Sequence, residues 1–345
     1  MATEPTELAK TIEASNHRAI YDTNAKKLIK HRIILAWILK ECVPEFKKYD
    51  VSYIEKNCFA GEVRMSTVSV DQDRPDANSS IKGSETVDTS ENEGEVRFDI
   101  VFDAIIPDTR KTIRVIINIE IQNKTDLHYS LVTRGIYYGS RLISRQKGTV
   151  FKNNNYQNIQ KVYSIWICPS PKKKDANSIV KYGIKKKCVI GTATEEPVKN
   201  YDKMDVIIIS LNDKVLEIDK RKSNTVAVEN KNNQTEDDRK IIRLLSVLLS
   251  KDKNLEARKE IMNKEFQIPM TEEITKEVED MCNLGYSIEI EALNKGKRKG
   301  KTETQLENIR SLMKNMHWTV EEAMNALDIP EKERKGLLKK LETTA

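Results

Sequence analysis

Long apolar runs, paired cysteines and clustered histidines are all missing from this chain of 345 residues. No window approaches the roughly 18 consecutive apolar residues of a transmembrane helix, so no membrane span is expected. The start, "MATEPTELAK", lacks the basic and apolar parts of a signal peptide. The five cysteines are far apart and form no CxxC, which disfavours a zinc site and indicates free thiols in a reduced, cytoplasmic setting. Because the four histidines are also scattered, carboxylates are the expected ligands of any metal.

Charge is unevenly distributed along the chain. The net charge is +6, but Val70–Glu95 holds eight acidic and two basic residues. The densest basic segments are 171–175, 181–188 and 295–301. Such clusters suit a polyanion, because each phosphate contact releases counterions. The alternative is an ordinary solvated surface rich in lysine.

The order of predicted elements in the first part of the chain indicates an α/β fold with a mixed sheet. Helical spacing covers about 24–48, and the polar segment 66–95 is expected to be a long acidic loop. Strands and one helix follow: strands at 96–106 and 112–122, a helix at 125–147, and strands at 161–169, 187–193 and 204–212.

Beyond about residue 221 the composition changes, and only helical patterns remain. We therefore place a domain boundary near 225, with an α/β domain at 1–225 and a helical C-terminal region at 226–345. Predicted helices lie at 235–250, 271–294 and 302–316, with two short ones after 319. Thr319 and Glu322 form a capping box at the first of these two.

Polar side chains on two neighbouring strands form the most informative constellation. In the strand 112–122, isoleucine and valine occupy one face, whereas Glu120 and Gln122 occupy the other and Lys124 continues it. Asp99 stands in the preceding strand. If the two strands pair as a hairpin, Asp99 and Glu120 converge on one pocket.

Two carboxylates on adjacent strands are typical of a site for a hard cation, Mg²⁺ or Mn²⁺. Such an ion polarises a phosphodiester and lowers the pKa of an attacking water. The alternative is structural, because ion pairs across a hairpin with one wet face give the same pattern.

The segments "EGEVRFDIVFDAII" (93–106) and "VIINIEIQNK" (115–124) resemble the motif core of the PD-(D/E)xK nuclease superfamily. The nearest resemblance is to its Rpn-type group of recombination-promoting nucleases and transposases. The following helix, "TRGIYYGSRLISRQ" (133–146), and the strand "VYSIWIC" (162–168) extend the resemblance, which covers roughly 24–215. It implies a restriction-endonuclease-like core, a mixed sheet flanked by helices.

The resemblance also implies roles for individual residues. Asp99 and Glu120 correspond to the two metal ligands, helped by the backbone carbonyl of Ile121. The third motif position is usually lysine and here is Gln122, although the Rpn-type group often carries glutamine there. An amide cannot accept a proton at neutral pH, so Gln122 is expected to position water or phosphate. Lys124, on the same side, is a hypothetical substitute.

Two ligand assignments stay open at the level of sequence. The hairpin is long, so Asp103 competes with Asp99 for the first position, and Asp99 is preferred. Relatives often add an acid from the first helix. Glu45 is the preferred residue for this role, with Glu41 next, and Glu93 before the hairpin is another candidate.

One face of the predicted helix 125–147 carries a tyrosine and three arginines: Arg134, Tyr138, Arg141 and Arg145. Arginine binds phosphate and tyrosine stacks on bases, so these residues are expected to bind DNA. The alternative is a surface helix with arginines paired to acids and a tyrosine packed in the core.

These observations predict a metal-dependent DNA endonuclease linked to recombination or transposition, with DNA as partner and a homodimer to cut both strands. The alternative is a DNA-binding or protein-interaction module that keeps the nuclease fold without turnover. Gln122 and the acidic segment support that alternative.

Overall fold

The computed structural model describes residues 7–65, 87–90, 94–119, 129–211, 239–250 and 254–342. The chain divides into two compact units, Met1–Gly285 and Tyr286–Ala345. This division lies later than the composition change near residue 225, because the helices that follow that change pack against the N-terminal helices. No helix among the described residues is long and apolar enough to cross a membrane.

The first unit contains all of the described strands. They are β1 (Phe59–Met65), β2 (Val87–Ser90), β3 (Gly94–Arg97), β4 (Ile100–Ile105), β5 (Thr112–Ile119), β6 (Val162–Cys168), β7 (Ser178–Gly183) and β8 (Met204–Ser210). The described α-helices are α1 (Glu7–Ile29), α2 (Arg32–Cys42), α3 (Val51–Asn57), α4 (Leu131–Ser144), α5 (Val198–Tyr201), α6 (Lys240–Leu248), α7 (Leu255–Lys264), α8 (Glu272–Met316), α9 (Val320–Ala326) and α10 (Glu331–Glu342).

Six strands form one mixed sheet in the order β1-β4-β5-β6-β8-β7. The strands β4 and β5 form an antiparallel hairpin, whereas β5 and β6 pair in parallel, as do β6 and β8. Helix α4 connects β5 to β6, as a parallel crossover requires. The predicted mixed sheet flanked by helices is confirmed at this level.

The central strand β6 is buried along its whole length, and its apolar sequence, VYSIWIC, is typical of a strand covered on both faces. The outer strands differ from it. The strand β1 has an irregular register between Ala60 and Arg64, with Gly61 at a φ of +81°. The strand β7 carries exposed Lys181. Burial is therefore complete in the middle of the sheet and incomplete at its edges.

The predicted strand at 187–193 is wrong. This segment has no strand conformation, and the strand that pairs with β8 lies earlier, at β7. Val189 and Ile190 are 83% and 92% exposed, so their side chains have no sheet face to cover. Their β-branched character alone suggested a strand, and β propensity depends on such a face.

Helix α4 packs closely on β6 and β8 through two glycines. A Cβ on Gly135 would lie 2.5 Å from Val206 Cγ1 and 2.9 Å from Trp166 Nε1. A Cβ on Gly139 would meet the end of the Met204 side chain instead, 2.5 Å from its Sδ. Both glycines thus allow α4 to approach the sheet closely. Gly135 faces the rigid side chains of Val206 and Trp166, whereas Gly139 faces the flexible end of Met204.

This difference predicts unequal effects of two matched substitutions. Gly135→Ala is expected to lower the free energy of unfolding by roughly 1–2 kcal/mol, because overpacking against a strand outweighs the gain in helix propensity. Gly139→Ala is expected to be nearly neutral, because the flexible Met204 side chain can move. Urea unfolding of both variants tests this, and equal stabilities would contradict it.

The helices after β8 contain a buried arginine. Arg258 of α7 is fully buried; its Nε donates to the Val247 carbonyl at 2.9 Å and its Nη2 to the Leu248 carbonyl at 2.7 Å. The Tyr21 hydroxyl donates to the next carbonyl, that of Leu249. These are final carbonyls of α6, which lack helical partners, so α7 and α1 cap that helix.

The second unit has its own apolar core, made by Ile309, Ala323, Met324, Ile329 and Leu337. The predicted capping box is confirmed, since Thr319 and Glu322 exchange hydrogen bonds at the start of α9.

The predicted gap between helices at 295–301 is wrong, because α8 is helical throughout this basic segment. Its two glycines lower helix propensity, but lysine and arginine are good helix formers.

Candidate functional site

Asp99 stands in a bend immediately before β4. The sequence predicted unbroken alternation here, yet Phe98 and Val101 pack in the same apolar cluster against α4. Residues three apart in a regular strand point to opposite faces, so the bend accounts for this arrangement. The Asp99 carboxylate contacts α1, where Lys26 Nζ lies 2.7 Å from its Oδ1.

A buried ammonium joins two carboxylates at this point. Lys26 Nζ also lies 2.5 Å from Asp22 Oδ2, one turn earlier in α1. Lys26 and Asp99 are only 5% and 6% exposed, whereas the Asp22 side chain retains some contact with solvent. Two acids and one lysine leave this group with one negative charge in excess when all three are ionised.

Burial and the neighbouring charges together shift the pKa values of Asp22 and Lys26. Burial raises the pKa of Asp22 to about 6; the Lys26 ammonium opposes the shift, and the Asp99 carboxylate adds to it. Burial alone lowers the pKa of Lys26, but Asp99 and Asp22 raise it more, so the lysine stays charged. With a pKa of about 6, Asp22 takes up a proton in mild acid.

The raised pKa of Asp22 predicts how stability depends on pH. Between about pH 4 and 6 the folded chain holds a proton that the unfolded chain has released, so this group's contribution falls as pH rises. Asp22→Asn is therefore expected to raise the free energy of unfolding at pH 7 by about 1–3 kcal/mol, with the gain vanishing towards pH 4. Urea titrations at several pH values measure this. A gain that is independent of pH would contradict it.

Four predicted site residues, Glu120, Ile121, Gln122 and Lys124, lie outside the described residues, as does the candidate acid Glu93. The strand β5 is described up to Ile119, the residue before Glu120 in the chain.

The other candidate for the first ligand position, Asp103, is engaged elsewhere. Its carboxylate accepts two hydrogen bonds from Arg114, at 2.7 and 2.8 Å. The two residues are direct partners in the β4–β5 ladder. A bidentate pair of this kind is typical of structural support across a hairpin.

Glu45 lies in a short 3₁₀ turn, Pro44–Phe46, and accepts a hydrogen bond of 2.6 Å from the Tyr163 hydroxyl. Burial raises the pKa of Tyr163, and Glu45 raises it further, so the hydroxyl stays protonated as the donor. Tyr163 stands near the beginning of β6, whereas Asp99 lies level with the end of β5. The helical acid that the structure places beside Asp99 is Asp22.

The predicted first helix began near residue 24, so it left out Asp22 and with it the i,i+4 partner of Lys26. The buried residues Tyr21, Ala25 and Leu28 show helical spacing that continues upstream of that point. An Asp–Lys pair four residues apart between such apolar positions was the available signal.

The predicted DNA-binding face of α4 turns towards the sheet. Tyr138 is buried and packs edge-on against Phe98 and Trp166. Its ring cannot stack on a base without leaving the core. Arg141 is buried as well, and Arg145 is half-buried at the end of the helix.

The Arg134 side chain is held by hydrogen bonds and by a contact with an aromatic ring. Its Nη1 donates to the Tyr129 hydroxyl at 2.6 Å and its Nη2 to the Tyr138 hydroxyl at 3.2 Å. The guanidinium also lies 5.5 Å from the centre of the Trp166 ring, within the range of a cation–π contact. The arginine is half-buried and fixed in orientation.

Exposed basic charge lies instead around β7. Lys172, Lys173 and Lys174 precede this strand and are exposed, as are the lysines of 185–187 after it. These are two of the three basic clusters found in the sequence. They give the first unit a lysine-rich surface that a polyanion can reach.

A different group also brings possible metal ligands together. One ligand atom each from His31, Glu273 and Glu277 lie within 4.8 Å of one another. His31 Nε2 is 2.7 Å from Glu277 Oε2, and Glu273 is exposed. The hydrogen bond links the start of α2 to α8, which is a sufficient structural role for this pair.

Comparison of the chain with protein-family models, curated proteins and solved structures finds no match.

Proposed function

We propose that this chain is a divalent-metal-dependent DNA endonuclease with a PD-(D/E)xK core made by β4, β5, α4 and β6. Asp99 carries the proposal, because it is a buried carboxylate beside the hairpin and level with the end of β5. The order of hairpin, helix and parallel strand agrees with the resemblance in sequence. A role in recombination or transposition extends the proposal.

The donor set of the described residues fits a hard cation. Asp99 and Asp22 offer carboxylate oxygens around one position that now holds a positive charge, the ammonium of Lys26. Mg²⁺ or Mn²⁺ prefers such oxygens, and when bound would neutralise charge that develops on the scissile phosphate. Asp99, Glu120 and the Ile121 carbonyl are the proposed ligands.

Other residues would act on the substrate rather than on the metal. Gln122 is proposed to orient water or the phosphate through its amide, with Lys124 as a second candidate. The exposed lysines around β7 are proposed to attract the DNA backbone, and Arg134 and Arg145 to contact phosphates near the hairpin. A homodimer, common in this superfamily, would allow both strands to be cut.

Cleavage of supercoiled plasmid tests the proposal. The wild-type chain with Mg²⁺ or Mn²⁺ is compared with Glu120→Ala and with a chelator control. Nicking or linearisation that disappears in both controls is the expected result. Plasmid binding without cleavage in any of these conditions would contradict the enzymatic proposal.

That last outcome would favour the second candidate function, a DNA-binding or protein-interaction module that keeps the fold. Gln122 is the observation in its favour, because its amide cannot serve as a general base.

A further inference from the structure

Lys26 holds the position that a cation would take between Asp22 and Asp99. Its Nζ is 2.5 Å from one carboxylate and 2.7 Å from the other, and its side chain is buried. Ala25 and Ile29 of the same helix are fully buried too, so this side of α1 faces the interior. The ammonium is therefore a fixed charge inside the first unit.

A divalent cation and this ammonium cannot bind the same Asp99 oxygen side by side. Two positive charges a few ångströms apart repel strongly where water is scarce. A cation that binds Asp99 must either move Lys26 away or bind with reduced affinity.

We propose that Lys26 is a built-in counter-ion that keeps the metal site closed, and that a divalent cation must displace its ammonium from Asp99 to bind. The inference rests on the proposed function in that it takes Asp99 as a metal ligand. It goes further by assigning a competing cation to the chain itself. Without metal, the lysine stabilises two carboxylates that would otherwise repel each other in a buried place.

The chain contains a matched control for this arrangement. Lys161 Nζ lies 2.6 Å from Asp202 Oδ2 and 2.9 Å from Asp205 Oδ2, so a half-buried ammonium lies between two acids here as well, with Lys181 Nζ 3.8 Å from the same Asp205 oxygen. This second group lies at the beginning of β6 and β8, level with the opposite end of β5 from Asp99.

The experiment measures Mn²⁺ binding to the full chain by calorimetry and by electron paramagnetic resonance. Lys26→Met removes the ammonium and keeps an apolar stem. It is expected to bind Mn²⁺ roughly 10- to 100-fold more tightly than wild type, and its melting temperature should rise more on adding Mn²⁺. Adding Asp99→Asn to Lys26→Met should abolish the gain. Lys161→Met should bind Mn²⁺ as wild type does.

Unchanged Mn²⁺ affinity in Lys26→Met overturns the inference, and so does an equal gain in Lys161→Met. If Lys26→Met folds only when Mn²⁺ is present, that supports it, because the metal then replaces the missing charge. If Lys26→Met does not fold even with Mn²⁺, Lys26→Gln provides the same comparison with a polar side chain.

Failure of this inference is distinguishable from failure of the proposed function. Plasmid cleavage that depends on Asp99, together with unchanged Mn²⁺ affinity in Lys26→Met, would support the nuclease function and contradict the counter-ion role of Lys26. A gain in Mn²⁺ affinity in Lys26→Met, without any cleavage by wild type, would support the closed metal site and contradict the nuclease function.

Discussion

Replacing Asp99 by asparagine is expected to slow Mg²⁺-dependent plasmid cleavage by roughly a thousandfold or more. The variant loses the charge that is proposed to hold the metal, and a bound metal contributes several kcal/mol to such reactions. The amide keeps the shape of the carboxylate and can still accept a hydrogen bond from Lys26, so the fold should persist. The rate at which supercoiled plasmid becomes nicked or linear measures the effect, with circular dichroism to verify folding.

Asp103→Asn is the matched control, four residues further along the chain in β4. Asp103 is already bound by Arg114, so its loss should weaken one cross-strand pair and leave cleavage almost unchanged. Loss of cleavage in Asp103→Asn but not in Asp99→Asn would reverse the assignment of the first ligand.

The second large effect concerns stability. Arg258→Met is expected to lower the free energy of unfolding by about 3–5 kcal/mol. Methionine fills part of the space but cannot donate, so the Val247 and Leu248 carbonyls would stay buried at the end of α6 without these donors. Urea unfolding followed by circular dichroism measures the change.

Arg243→Met provides the comparison within the same helices. Arg243 forms a bidentate pair with Glu265, but both side chains retain contact with solvent. Exposed pairs contribute about 0–1 kcal/mol, so this variant should be only slightly less stable than wild type. Equal stabilities of the two arginine variants would show that the buried hydrogen bonds of Arg258 contribute no more than an exposed ion pair.

Strands with strong local signals were predictable. The expected strands at 112–122, 161–169 and 204–212 correspond to β5, β6 and β8, because apolar and β-branched residues dominate each of them. The strand expected at 96–106 is interrupted at Asp99, which the alternation of residue types did not reveal. A bend at one residue shifts the alternation of the two faces by one position, but it hardly changes which residue types are present.

Contacts between distant segments were not predictable in the same way. Helical spacing defined one face of α4 from Arg134 to Arg145, but it does not say whether that face meets solvent or the sheet. Burial of Tyr138 depends on Trp166, which follows much later in the chain. Likewise, Asp99 alone gave no reason to choose Asp22 over Glu45 as its helical neighbour, because only the packing of α1 on the sheet brings them together.

The two outer strands of the sheet have a consequence for self-association. An open strand edge is a template for pairing with another chain, and proteins obstruct such edges with bulges or with lysine. Here β1 has the irregular register and β7 has Lys181 and the lysines that follow it. The irregular register of β1 and the lysines of β7 thus each disfavour the addition of a strand from another chain. Two copies that cooperate on one DNA duplex would have to meet through helices or loops.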